Sequence, residues 1–203
     1  MEIVLVRRTR AEMIDETRVR LIAAARHAFG TAGYANTSMD DLTAKAGLTR
    51  GALYHHFGGK EGLLAAVVDQ IDEEVHQRLV KMSATAPSLW EGFRRRCRAY
   101  LELSLEQEIR RIIMQDARAV LGDISPAAQS HCIAALQDML EKLIEQRVIE
   151  QTDAQAVAHM LYGVVTEASF WIAESNTDHE NRLPRALDSL ELLLRGLRVP
   201  QRD

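Results

Sequence analysis

The sequence predicts an all-α protein of about nine helices, in which two short helices joined by a tight turn precede a larger helical body. Apolar residues recur at three- and four-residue spacing along most of the chain, as on the buried face of an amphipathic helix. Ser, Thr and Asp caps and Gly or Pro stops divide this pattern into segments, none of which alternates like a β-strand. The 203 residues are enough to bury a sizeable core.

The first predicted helix spans about residues 11–32 and is ended by Gly33. Its apolar residues lie three and four positions apart: Leu21, Ile22, Ala25, Ala28 and Phe29. This spacing gives the helix one apolar face, on which the two short helices that follow can pack.

Ser38 and Thr49 are each expected to cap one of the two short helices with a side-chain oxygen. Gly47, which lies between the helices, supplies the conformational freedom that a three- or four-residue turn requires. The second short helix is expected to end at Phe57, before Gly58-Gly59.

The second short helix carries a polar and aromatic strip on one face. At about 100° per residue, the side chains that face inward are Ala52, Leu53, His56 and Phe57. Those that face outward are Arg50, Gly51, Tyr54 and His55. A strip with a glycine in it suits close approach to a phosphate backbone, and Arg50 lies near the end of the helix that touches bases in recognition helices. The pattern therefore indicates DNA binding.

These residues form part of a longer spaced pattern. It comprises Phe29-x-x-x-Gly33-Tyr34, Thr37-Ser38, the run from Ala46 to Phe57, and Lys60-Glu61-Gly62-Leu63. Over about residues 10–65, the chain resembles the N-terminal domain of TetR/AcrR-type transcriptional repressors. Thr43 stands where that family usually has alanine, and Gly58-Gly59 replaces the more usual Pro or Asn followed by Ser.

The resemblance implies a set of DNA-binding residues. Phosphate contacts are expected from Thr37, Ser38, Tyr54 and Lys60, with Thr49 at the cap of the recognition helix, and base-edge contacts from Arg50, Gly51 and His55. Ahead of the first helix, Arg7, Arg8 and Arg10 form a basic arm. Two interpretations of this arm stay open: a minor-groove contact and a solvated tail.

The charge distribution supports a chain that binds DNA at one end. Residues 1–60 carry nine Lys/Arg and six Asp/Glu, whereas the remaining residues carry 16 and 23, for a net charge of −4 overall. Two cysteines provide no disulfide framework, which indicates a reducing cytoplasm. The apolar stretch 1–6 is too short for a signal peptide, and no apolar run is expected to span a membrane.

After Lys60 the pattern predicts helices only. The expected segments are a connecting helix to about residue 82, a break at 84–87, helices over 88–105, 106–121, 125–147 and 152–175, a polar loop over 176–181, and a last helix to about residue 199. The predicted domains are 1–59, the arm and helix-turn-helix domain, and 60–203, the ligand-binding and dimerisation body with 60–83 as its connecting helix.

The last predicted helix contains five leucines at heptad-like spacing: Leu183, Leu187, Leu190, Leu194 and Leu197. The helix before it is also strongly apolar. The resemblance implies a homodimer in which these two helices from each subunit form a four-helix bundle. The alternative is packing within one chain alone.

The body is rich in large, soft side chains. Those predicted to line a cavity for a small apolar effector are Trp90, Phe93, Tyr100, Met114, His131, Met160 and Phe170, with His159, Glu167 and Ser169 as further polar candidates. The alternative for each aromatic or methionine residue is ordinary core packing. Cys97 is expected to be a buried, inert thiol despite its arginine neighbours.

No catalytic, cofactor-binding or metal-binding motif is found in the sequence. The prediction is therefore a cytoplasmic, homodimeric repressor, which is not an enzyme and needs no cofactor. A small ligand would release it from a pseudo-palindromic operator. One alternative is an α-helical adaptor that binds another protein through its apolar body, with the helix-turn-helix as a scaffold. Another alternative is a helical enzyme that acts on an apolar substrate.

Overall fold

The computed structural model describes residues 9–122, 126–174 and 179–199, and these residues are helical apart from short turns. The chain divides into two compact units, Met1–Val68 and Asp69–Asp203. This division lies within the predicted connecting helix, so that helix contributes residues to both units.

The helix bounds are close to those predicted. The helices are α1 (Arg10–Ala32), α2 (Met39–Lys45), α3 (Arg50–Phe57), α4 (Lys60–Ala84), α5 (Leu89–Leu103), α6 (Gln107–Ile109), a π-helix (Arg110–Ala117), α7 (Arg118–Leu121), α8 (Pro126–Glu145), α9 (Ala154–Ala173) and α10 (His179–Arg195). Because α6, the π-helix and α7 follow without a break, the described residues form nine helical rods.

Side-chain caps fix where the helices begin. The Ser38 hydroxyl oxygen accepts from the Asp41 backbone N–H at 3.3 Å, and the Thr49 oxygen accepts from the Ala52 N–H at 3.2 Å. Both caps were predicted from sequence. Thr9 forms a full capping box with Glu12, which stabilises the start of α1 and which sequence analysis missed. Of the predicted basic arm, Arg10 is the first residue of α1, whereas Arg7 and Arg8 lie outside the described residues.

In the first unit, α1, α2 and α3 pack around a small apolar core. The core residues that are almost or fully buried are Leu21, Ala25, Phe29, Leu42, Leu53, Leu63, Leu64 and Val67. The Arg20 guanidinium donates to the Ala46 carbonyl at the end of α2, which satisfies one of the orphan acceptors of that helix. The Thr43 hydroxyl is buried and donates to the Met39 carbonyl, so this departure from the family pattern is accommodated inside α2.

In the second unit, α5, α8, α9 and α10 surround one hydrophobic core, with α9 in contact with all three others. Its centre contains the fully buried Phe93, Leu140, Leu143, Ala158, Ile172 and Leu194. By length and composition alone α9 could cross a membrane, contrary to the expectation from sequence. Within the described residues, 44% of this apolar stretch is buried, and helices of similar composition also occur in protein cores.

The five-leucine seam of α10 packs mainly into the core of its own chain. Leu190 and Leu194 are buried core members, and Leu183, Leu187 and Leu197 pack against them. The leucines that α10 exposes are Leu192 and Leu193, at 66% and 52%. Intrachain packing therefore accounts for the burial of Leu190 and Leu194, while Leu183, Leu187 and Leu197 remain partly exposed.

Two local features differ from the prediction. The segment expected as one α-helix over 106–121 contains the π-helix Arg110–Ala117. The predicted polar loop 176–181 is shorter, because α10 begins at His179. In addition, residues Ile149 and Arg198 form an isolated antiparallel bridge, which ties the turn after α8 to the end of α10.

Candidate DNA-binding surface and ligand cavity

Helix α3 is anchored by one face and exposed on the other. Leu53 is fully buried, whereas Arg50, Gly51, Tyr54 and His55 are exposed. The helix begins at the Thr49 cap and ends at Gly58, whose φ of 71° is left-handed and whose N–H donates to the Tyr54 carbonyl at 2.9 Å. The structure therefore brings the predicted outward residues together on one solvent-facing strip.

Arg50 is held in place by two neighbours. Its Nη1 atom lies 3.3 Å from the Asp40 Oδ1 atom, and its guanidinium carbon lies 5.6 Å from the centre of the Tyr54 ring. All of these side chains remain accessible to solvent. The sequence did not predict this pairing, because the pairing depends on the angle between α2 and α3.

The predicted phosphate contacts fall into two groups. Thr37 is buried, and its hydroxyl donates to the Gly33 carbonyl at 2.8 Å, so this hydroxyl serves the turn before α2. Ser38 and Thr49 are exposed helix caps whose hydroxyl oxygens accept from backbone N–H groups. Each of these two hydroxyl protons can still be donated to an anion.

Lys60 is the first residue of α4, and its ammonium lies 4.4 Å from the centre of the Tyr34 ring. Tyr34 packs on Phe29 with ring centres 5.5 Å apart. Burial, followed by the nearby Glu61 charge, raises the pKa of Tyr34, so the ring stays neutral beneath the cation. A cation at a helix N-terminus provides both a positive charge and backbone N–H groups for an anion.

The second unit contains a cavity of about 280 Å³. Its described lining residues are Asp69, Asp72, Glu73, Val75, His76, Tyr100, Leu103, Ile109, Ile113, Met114, His131, Cys132 and Tyr162. One wall is the polar face of α4, and another includes part of the π-helix. A mostly apolar cavity with a few convergent polar groups is typical of a small-molecule site.

Asp72 is the most perturbed acid in this cavity. Burial, followed by repulsion from the Asp69 carboxylate, raises the pKa of Asp72 to about 7. Its Oδ2 atom is buried and has no hydrogen-bond partner among the described residues. Burial also raises the pKa of Tyr100, which keeps that phenol neutral.

Three of the seven predicted ligand-binding residues line the cavity: Tyr100, Met114 and His131. The other four lie elsewhere. Phe93 is a fully buried core residue against Trp90, Phe170 is buried beneath the Arg118 guanidinium, and Met160 is 69% exposed on the outer face of α9. The sequence shows that these residues are large and helical, but only the packing of the helices determines which of them face the cavity.

The remaining polar candidates also lie outside the cavity lining. His159 and Glu167 are exposed, and the buried Ser169 hydroxyl donates to the Val165 carbonyl within α9. Cys97 is buried as predicted, and burial raises its pKa to about 12, which disfavours the reactive thiolate. Its neighbour Arg96 is also buried, and burial lowers the pKa of that guanidinium.

Helices α9 and α10 expose an apolar groove of about 270 Å³. It is lined by Leu101, Val164, Val165, Ala168, Trp171, Arg185, Ala186, Ser189, Leu190 and Leu193. Next to it, Gly163 is exposed, and no atom lies within 4 Å of the position that a Cβ would occupy there. The surface of α9 is therefore open at Gly163, with the exposed apolar side chains of Met160 and Val164 near it.

An exposed short helix, capped and packed on two others, defines the first unit as a helix-turn-helix domain. Two family models match the chain: bacterial regulatory proteins of the tetR family over residues 21–67, and the tetracyclin repressor-like C-terminal domain over residues 90–197. The solved structure of a TetR-family transcriptional regulator from Pectobacterium atrosepticum is 58% identical, has a TM-score of 0.90, and matches 96% of this chain and 100% of that one.

Curated relatives agree with these matches. The probable HTH-type transcriptional regulator ArpR of Pseudomonas putida is 41% identical over 85 residues, which are 42% of this chain and 40% of the relative. The HTH-type transcriptional regulator TtgR, also of Pseudomonas putida, is 43% identical over 79 residues, which are 39% of this chain and 37% of the relative. The chain thus spans about two fifths of each of these relatives.

This chain is a helix-turn-helix transcriptional regulator. It belongs to the TetR family, whose two domain models together cover most of its length. The members of this family regulate transcription and are not enzymes, as the sequence analysis expected.

Proposed function

We propose that this protein is a homodimeric transcriptional repressor that binds a pseudo-palindromic DNA operator and leaves it when a small molecule binds in the body. The observation that carries this proposal is the exposed strip of α3, where Arg50, Tyr54 and His55 are available to a duplex while Leu53 anchors the helix. As a DNA-binding protein of a bacterial family, it would act in the cytoplasm.

In this proposal, the exposed polar groups have two roles. Ser38, Tyr54 and Lys60 hold phosphates and fix the register of the domain on the duplex. Arg50 and His55 read base edges, for which the guanidinium of Arg50 is suited to guanine. To reach a base, Arg50 exchanges its contact with Asp40 for a contact with DNA. Thr37 acts indirectly, because its hydroxyl holds the turn that places Ser38.

The effector would bind in the cavity lined by Tyr100, Met114 and His131, among others. Helix α4 supplies one cavity wall and also begins with Lys60, which contacts phosphate in this proposal. A ligand that prefers one position of α4 would shift the population away from the DNA-binding state. Differential affinity of about 1–3 kcal/mol between two states is enough for such coupling.

Homodimer formation is supported by the apolar groove of α9 and α10 and by the exposed Met160 and Val164 beside it. A two-fold dimer would present two copies of α3 about 34–36 Å apart, which matches one turn of DNA.

The test is a selection of random duplex DNA on the purified protein, with the bound sequences determined at near-physiological salt. We expect an enriched palindrome with half-sites about one helical turn apart. If a folded, dimeric protein enriches no sequence, the repressor proposal is wrong.

Arg50→Ala separates this proposal from the adaptor alternative. We expect this substitution to weaken operator binding by about 1–3 kcal/mol and to relax base preference at one operator position, as measured by fluorescence anisotropy. The control is Arg195→Ala, which removes an exposed arginine from the last turn of α10 and should leave operator affinity unchanged. An adaptor would bind its protein partner equally well with either variant.

A further inference from the structure

The cavity in the second unit has an acidic wall. Asp69, Asp72, Glu73 and His76 all line it, and their spacing of three, four and seven residues places them on one face of α4. Among the described lining residues there is no lysine or arginine. The buried cation Arg96 lines a small void that shares Tyr100, Cys132 and Tyr162 with this cavity, but Arg96 is not itself among the residues that line the cavity. The electrostatic character of the cavity is therefore negative.

Two polar atoms on this wall lack partners. The Asp72 Oδ2 and His76 Nδ1 atoms are both buried and make no hydrogen bond within the described part of the chain. Burying a carboxylate oxygen without a hydrogen-bond donor costs free energy, because the oxygen loses its hydrogen bonds to water and forms none within the protein. A bound ligand that carries N–H donors would satisfy this oxygen.

The opposite walls suit an organic cation. Tyr100 and Tyr162 contribute aromatic rings, and Met114, Ile109 and Ile113 contribute soft apolar surface from the helical run after α5. Aromatic rings attract ammonium groups through their negative faces, and this attraction strengthens away from water. The volume of about 280 Å³ limits the ligand to a small organic molecule.

We infer that the effector is a protonated amine with an aromatic or aliphatic body, whose ammonium group pairs with the Asp72 carboxylate. This inference rests on the proposed function, and it replaces the small apolar ligand expected from sequence with a cationic one. The body of the ligand fills the space beside Tyr100 and Met114, and the exposed Asp69 and Glu73 add negative charge where the cavity meets solvent.

The pairing of the ligand ammonium with the Asp72 carboxylate makes the affinity for the amine dependent on pH. The titratable groups that line the cavity together with Asp72 are Asp69, Glu73 and His76 beside it on α4, Tyr100 on α5, His131 and Cys132 on α8, and Tyr162 on α9. Because the pKa of Asp72 is raised to about 7, a cation that binds its carboxylate form must displace a proton below that pH. Amine affinity should therefore fall as pH is lowered from 8 to 6.

The experiment compares three compounds with the same phenylbutyl body by isothermal titration calorimetry on the full chain: 4-phenylbutylamine, 4-phenylbutan-1-ol and 4-phenylbutanoate. At pH 8 we expect the amine to bind at least about tenfold tighter than the alcohol, and the anion to bind weakest. Lowering the pH to 6 should weaken the amine several-fold and leave the alcohol unchanged.

Asp72→Asn should remove most of the preference for the amine, because it keeps the shape of the side chain and deletes its charge. Asp138→Asn, an equal charge change on the exposed face of α8, should preserve it. Equal binding of amine and alcohol, or no binding of any of the three compounds, would overturn the inference. Operator binding is measured separately without any ligand, so a failed DNA selection would be recognised as a failure of the proposed function instead.

Discussion

At the scale of single residues, the two candidate sites contain groups that the fold itself does not need. A Cβ at Gly51 would meet only the Thr49 Oγ1 atom at 3.8 Å, so packing within the chain does not require glycine there. Asp72 lowers the stability of the folded state, because burial disfavours its carboxylate. When packing and stability do not explain why a residue is present, a role in binding is the simpler explanation for it.

Gly51→Ala should separate stability from DNA binding. Alanine is favoured over glycine within a helix, so we expect the free energy of unfolding to rise by about 0.5–1 kcal/mol in urea denaturation. Operator affinity should fall, because in the proposed complex Gly51 faces base edges and the new methyl group would occupy space at that contact. Unchanged operator affinity would show that Gly51 does not face DNA.

Asp72→Asn should stabilise the protein in a pH-dependent way. The folded-state pKa of about 7 lies above the ordinary value of 3.8, so the wild-type free energy of unfolding falls as pH rises through this interval and stays low above it. The Asp72→Asn protein has no carboxylate to ionise here, so its free energy of unfolding does not fall in this way. At pH 8 we expect that free energy to exceed the wild-type value by about 1–4 kcal/mol, and near pH 4 we expect the two to be similar. Thermal and urea denaturation at both pH values would measure this.

The control for this comparison is Asp138→Asn, whose carboxylate is exposed beside Lys142. It should change stability by only about 0.5 kcal/mol or less at either pH. A pH-independent difference between Asp72→Asn and the wild type would contradict the assignment of a raised pKa to Asp72.

At the scale of elements, the junction of α3 and α4 determines how the recognition helix is presented. Gly58 and Gly59 have φ values of 71° and 147°, which favour glycine, so both are needed for this turn. Three residues later, a Cβ at Gly62 would lie 2.0 Å from the Phe57 carbonyl oxygen. The backbones of the two helices therefore approach closely here, and the glycines fix the geometry of the junction.

Gly62→Ala should disrupt this junction. Because backbone must move to admit the methyl group, we expect a loss of about 1–3 kcal/mol in the free energy of unfolding, together with weaker operator binding. Gly51→Ala is the matched control, since the same substitution in the neighbouring helix should raise stability. Equal stability changes in the two variants would show that the close approach at Gly62 does not constrain the fold.

Other contacts between elements hold the second unit together. Glu191 on α10 accepts from Arg94 Nε at 2.9 Å and from Arg98 Nη1 at 3.3 Å, both on α5. Glu91 binds Arg94 and Arg95 within α5. Three of the four arginines around Cys97 thus form ion pairs, and the Cys97 thiol packs in the hydrophobic core.

At the scale of the whole molecule, the proposed function requires two subunits, and the surface of α9 offers the place for them to meet. Met160 is 69% exposed, and Val164, one helical turn later, is 38% exposed. Gly163, which lies between them in sequence, has no side chain and no neighbour within 4 Å of its Cβ position. Large exposed apolar side chains beside a groove are more typical of an interface than of a free surface.

Val164→Asp should break the dimer, because a carboxylate buried at the interface would be unpaired. We expect a dimer dissociation constant raised by about 100-fold or more, measured by sedimentation velocity, and a corresponding loss of operator affinity. Val80→Asp, at an exposed apolar position on α4, is the control and should leave the mass unchanged. A Val164→Asp protein that remains fully dimeric would place the interface elsewhere.

The sequence by itself determined the helical fold class, the caps at Ser38 and Thr49, and the outward strip of α3. These features depend on spacing within a single helix or on hydrogen bonds between residues three apart, so a local pattern is sufficient to predict them. The sequence also predicted the family resemblance over about residues 10–65, and a family model confirms it over residues 21–67.

Only the tertiary structure decided which side chains meet across helices. It placed Tyr100 and Met114 in the cavity but Phe93 and Met160 elsewhere, and it paired Arg50 with Asp40. It buried Leu190 and Leu194 of the α10 seam in the core of the same chain, and it placed the cavity against the face of α4 that carries Asp69, Asp72, Glu73 and His76. The physical reason is that periodicity gives the direction of a side chain relative to its own helix, whereas the neighbour it faces depends on how the helices pack together.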